Sequence, residues 1–100
     1  MMTTTTSKAT VLAAARAEAL FTSQLATGSQ PTYGIVHTAI RIAVRTHGVR
    51  GCAAYVAGEY GEHPELAAPR MRWARDVVEQ LYEARRTRVE RPCNGWALVA

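Results

Sequence analysis

Two sets of side chains in this sequence are of types that do chemistry. His47, Cys52, His63 and Cys93 have the donor atoms for zinc or for an armed thiol. Arg41, Arg45, Arg50, Arg70, Arg72 and Arg75 have the planar fork that holds phosphate. Spacing argues against the first set. Its members stand 5, 11 and 30 residues apart, with no Cys-x-x-Cys or His-x-x-x-His pair to begin a chelate. Nothing beside Cys52 in the sequence marks an activated thiolate. No paired carboxylates, glycine-rich phosphate loop or nucleophile elbow is present. The expectation is therefore no catalytic residue, no metal site and no cofactor.

The arginines carry more weight. Eleven of the twelve cations are arginine, and the formal net charge is +4. All of that excess lies in the first half, where Lys8, Arg16, Arg41, Arg45 and Arg50 face only Glu18. Such a balance permits an anionic partner without demanding one. A GC-rich genome also raises arginine and alanine together, which is the plainer explanation of the composition. Arg70 and Arg72 fall in what reads as a first helical turn, where cations oppose the helix dipole by a few tenths of a kcal/mol, roughly, each. Glu62, Glu65 or a bound anion would compensate them. Arg72–Asp76 and Arg75–Glu79 also have the i, i+4 spacing of local ion pairs, the favoured reading for those arginines.

Helices must position these groups. The chain has 100 residues, of which 48% are hydrophobic, many of them alanine. That suits one small domain with a thin core, and a homodimer that completes the core is one expectation. The pattern gives an all-α fold of four helices, at about 8–26, 33–47, 50–60 and 69–86. Ser7 and Gly28 bracket the first, and its stripe is Val11, Ala14 or Ala15, Glu18, Phe21 and Leu25. Thr32 caps the second, whose buried face is Val36, Ala39, Ile40, Ala43, Val44 and His47. His37, Arg41 and Arg45 form a solvent-facing stripe on it. Gly48 is the left-handed stop. Ala53, Val56, Ala57 and Tyr60 give the third helix its apolar face, and Gly61 ends it. Pro69 fits the first position of the last helix, which buries Met71, Ala74, Val77, Val78 and Leu81 with Trp73 at the edge.

Ala57 and Gly61, four residues apart, supply the small residue and turn glycine of a helix-turn-helix-like pair. In that arrangement Arg70, Arg72 and Arg75 would approach bases while Arg41, Arg45 and Arg50 hold phosphates. Pro69, Glu62 and Glu65 count against it. The protein-binding alternative draws on exposed aromatics, with Tyr55, Trp96 and Leu98 as candidates.

Residues 1–7 read as a disordered leader, 8–86 as the helical domain and 87–100 as a tail with an apolar end. The end GWALVA folds back on the core or acts as a turnover signal. No run approaches the roughly 18 apolar residues of a membrane span, and MMTTTTSK lacks the pattern of a signal peptide. Two scattered cysteines fit reduced thiols, so the expected setting is cytoplasmic. The stretch HGVRGCAAYVAGEYGEHPELAAPRMRWA resembles a segment of short uncharacterised actinomycete proteins, over roughly residues 21–78. The resemblance implies a bacterial cytoplasmic setting and transfers no mechanism. The function expected is a non-catalytic regulatory or adaptor module for a macromolecule, a protein first and nucleic acid second, with no membrane role.

Overall fold

The computed structural model describes the backbone of residues 8–90 and the side chains of residues 11–83. Those residues form an all-α domain of three helices: α1 (Lys8–Thr22), α2 (Tyr33–Glu62) and α3 (Pro64–Glu90). Each helix packs on both others. The core is Ala17, Ala19, Leu20 and Phe21 of α1, Val36, Ile40, Ala43, Cys52 and Val56 of α2, and Ala67, Met71, Trp73, Ala74, Val77 and Val78 of α3. Alanine at the contacts lets the backbones come close, so few large side chains suffice.

The count of four helices is corrected by the two junctions of the second half. At Gly48 the backbone leaves helical geometry where the sequence expects the break, and the second and third helices follow each other within one kinked element, bent sharply enough to bring Cys52 Sγ to 3.7 Å from the Ala43 carbonyl. Gly48 has the positive φ expected, +77°, but its ψ of 165° is extended and not left-handed helical. That combination is open essentially to glycine alone. A Cβ on Gly51 would stand 3.0 Å from His47 Cβ, a tight contact that glycine avoids beside the kink.

At the other junction α2 runs on through Gly61, which has no positive φ and ends nothing. One residue, His63, separates α2 from α3. Its N–H donates to the Glu59 carbonyl at 2.7 Å, and its carbonyl accepts from Leu66 at 3.0 Å and Ala67 at 2.8 Å. Pro64 therefore takes the first helical position that Pro69 was expected to fill. Pro69 lies inside α3 and lacks the N–H that would bond the Glu65 carbonyl. Glu65 is exposed, so water can serve that carbonyl instead.

α1 ends at Thr22, four residues early, because local side-chain bonds compete with the helix. Thr22 Oγ1 donates to Glu18 O at 2.8 Å and Ser23 Oγ to Leu20 O at 2.6 Å. Gly28, at φ +90°, turns the chain toward α2. Thr32 caps α2 as its position predicts, its Oγ1 accepting from Ile35 N at 3.4 Å. The α3 backbone remains helical to Glu90, so the first four residues of the expected tail belong to it.

Candidate interaction surface

Arg70 does not face outward. Its Nε donates to the Phe21 carbonyl at 2.8 Å, one terminal nitrogen to Thr27 Oγ1 at 2.8 Å, and the other to the Ser23 carbonyl at 2.9 Å. The guanidinium carbon lies 5.6 Å from the Phe21 ring centre and 5.0 Å from that of Trp73. Arg70 thus caps the C-terminal end of α1 from α3, supplying donors and positive charge where carbonyls lack helical partners. Burial lowers its pKa, and Tyr55 acts in the opposite direction. Three of the five N–H donors of Arg70 are thus committed within the fold, which favours a clamp on α1 over an anion or nucleic-acid contact. Trp73 works beside it, buried at the margin of the core, with its indole N–H on the Ser29 carbonyl at 2.8 Å.

Arg72 and Arg75 are exposed on α3. Among the described residues neither the Arg72–Asp76 nor the Arg75–Glu79 spacing closes into an ion pair. Arg72 and Asp76 instead border an open groove of about 400 Å³ between α3 and the α1–α2 loop, with Trp73, Gln30 and Gln80. Elsewhere Tyr33, His37 and Tyr82 form an aromatic cluster. His37 lies parallel to Tyr33 at 5.6 Å, Tyr82 lies 5.1 Å from Tyr33, and Arg16 sits 4.1 Å over the Tyr82 ring.

The metal and thiol candidates are dispersed. His47 is exposed beside the kink and His63 is exposed at the α2–α3 junction. Cys52 is buried, its Sγ 3.7 Å from the Ala43 carbonyl. Burial raises its pKa, the neighbouring Thr22 side chain lowers it in part, and the Glu18 charge raises it. A thiol so held is protonated and sealed. Among the described residues no three His, Cys, Asp or Glu side chains converge on a metal position. Cys93, Trp96 and Leu98 lie outside the described residues.

The continuous surface lies on the first half of α2. Arg41 and Arg45 are exposed there, as their spacing with His37 suggests; His47 joins them rather than the core, and Arg50 is exposed just beyond the Gly48 kink. Sequence periodicity missed two neighbours of those arginines. Ile35 and Ile42 are 50% and 59% exposed, seven residues apart, and lie on the outer side of the helix with Thr38 and Arg45. Looking for one apolar face hid them, although the seven-residue spacing is a legible sign of a second. Tyr55 is 47% exposed but sets its ring edge-on against Phe21 at 6.2 Å, so it borders the core. Among the described residues no helix is long and apolar enough to cross a membrane. Comparison with protein-family models, curated proteins and solved structures yields no match for this chain.

Proposed function

We propose that this chain is a non-catalytic adaptor or regulatory module that binds a protein partner through the outer face of α2. The observation that carries the reading is the pair Ile35 and Ile42, standing in solvent beside Arg41 and Arg45. Branched side chains at seven-residue spacing suit the ridge of a partner helix. Arginines at the edge of such a seam give orientation and rejection of wrong partners. The sealed thiol of Cys52 and the openness of the groove beside Trp73 favour binding over catalysis.

Nucleic acid is the second reading, favoured by three exposed arginines along one helix. The helix-turn-helix form of it loses support on geometry: a one-residue junction replaces the three- or four-residue turn, roughly, of that motif, and Arg70 is committed to α1.

The test uses immobilised wild-type protein beside an Ile35→Gln, Ile42→Gln variant. Partner retention by the wild type that disappears with the variant supports the α2 face. Retention that survives the substitutions removes it. A parallel titration of a mixed-sequence duplex at about 50 and about 200 mM salt decides the second reading. Phosphate binding must collapse with salt, and Arg41→Ala or Arg45→Ala must each reduce the slope by about one unit.

A further inference from the structure

Charge is segregated along this chain. No acidic residue occurs between Glu18 and Glu59, while Arg41, Arg45 and Arg50 do. No lysine or arginine occurs between Arg50 and Arg70, while Glu59, Glu62 and Glu65 do. The basic one runs along α2 from Arg41 to Arg50, across the kink at Gly48, and the acidic one covers the corner where α2 gives way to α3 through His63. Glu62 and Glu65 are exposed there, and Glu59 is half-buried. Each block also shows apolar side chains to solvent: Ile35 and Ile42 in the first, Tyr60 and Leu66 in the second, with Leu66 65% exposed. The kink at Gly48 stands between the two blocks, and among the described residues none of Arg41, Arg45, Arg50, Glu59, Glu62 and Glu65 pairs with another. The blocks therefore do not satisfy each other within one chain.

We propose that the partner of the α2 face is a second copy of this chain. The basic, apolar half of α2 in one copy docks on the acidic, apolar α2–α3 corner of the other. An antiparallel pairing about a two-fold axis makes this contact twice and closes the assembly at two chains. A parallel pairing would set Arg41 and Arg45 against their own counterparts, so charge selects the antiparallel one. Exposed ion pairs contribute little singly. The apolar side chains supply the affinity and the charges fix the direction. This proposal rests on the reading that the outer face of α2 is a binding surface, and it names what binds there.

The full chain is examined by sedimentation velocity from low to high micromolar concentration, at low and high salt. The expected result is a monomer–dimer equilibrium weakened at least about tenfold by salt. Two charge reversals make the test specific. In the first, Arg41→Glu with Arg45→Glu makes both blocks acidic. In the second, Glu62→Arg with Glu65→Arg makes both blocks basic. Each variant alone, shown by circular dichroism to be folded, is expected to be monomeric. Mixed in equal amounts, they are expected to form a heterodimer, because both contacts are again of opposite sign. A wild type that stays monomeric, variants that dimerise like the wild type, a mixture that does not recover, or an open polymer would each overturn the proposal. A monomeric wild type that still loses a protein partner on Ile35→Gln, Ile42→Gln would overturn self-pairing alone and leave the α2 face standing.

Discussion

Removing Arg70 separates the two roles that the residue type allows. Three donors of one guanidinium reach Phe21 O, Ser23 O and Thr27 Oγ1 within 2.9 Å. A hydrogen bond to a charged group contributes about 1.5–3 kcal/mol when buried. The three share one side chain that is only partly buried, and water would take over some of the carbonyls. Arg70→Ala is therefore expected to destabilise the fold by about 2–4 kcal/mol, including the lost packing on Phe21 and Trp73. For a chain of this size that is a fall in Tm on the order of 10–30 °C. Arg70→Lys keeps the charge but not the fork, and should recover less than half of the loss. Arg72→Ala, two residues away and exposed, is the control and should change stability by no more than about 0.5 kcal/mol. Urea unfolding followed by circular dichroism measures all three. If Arg70→Ala proves no more costly than Arg72→Ala, the capping argument is wrong and Arg70 returns to the set of anion contacts.

Two further substitutions probe the kink and the sealed thiol. Gly48→Ala forces a side chain into a backbone region open essentially to glycine, and should cost about 1–3 kcal/mol in thermal or urea unfolding. A neutral result would mean that the bend at Gly48 is not held in solution. Cys52 has its pKa raised above 9.0 in the folded chain, mainly by burial. The unfolded chain thus releases the thiol proton first as pH rises. Stability is fully retained below that value and is lost as pH climbs from it toward the folded pKa. Cys52→Ala, compared with wild type at about pH 8 and about pH 10, should show the smaller loss of urea midpoint. Equal losses would show that the thiol is not desolvated.

What was legible in the sequence is what depends on near neighbours. Thr32 caps α2 because its hydroxyl reaches three residues along the chain. Gly48 marks a break because no other residue holds its φ and ψ. The stripes Val36–Ile40–Ala43 and Met71–Ala74–Val78 are buried as their spacing requires. Helix ends were less legible, because Pro64 and Pro69 both suit a first helical turn and local rules do not rank them. Pro64 takes it because His63 closes α2 directly before it. The burial of Ala67, Met71 and Ala74 then holds one continuous helix through the second proline.

The arginines sort by helical angle rather than by residue type. At 100° per residue, Arg70 and Val77 flank the stripe Ala67–Met71–Ala74–Val78 on one side, with Trp73 further round on that side, whereas Arg72 lies on the opposite flank. Trp73 and Val77 on that side are both buried. A cation aligned with them starts its side chain beside the core and must find acceptors there. Which acceptors it finds depends on the end of α1, 49 residues earlier in the chain. No local rule supplies that. On α2 the same geometry works in reverse. Arg45 stands across the helix from Val36, Ile40 and Ala43, and Arg41 well to the side of them, so both meet solvent with Ile35 and Ile42. An edge arginine in a chain with few large apolar side chains thus reads as a clamp. One on the opposite face, beside exposed isoleucines, reads as half of an interface.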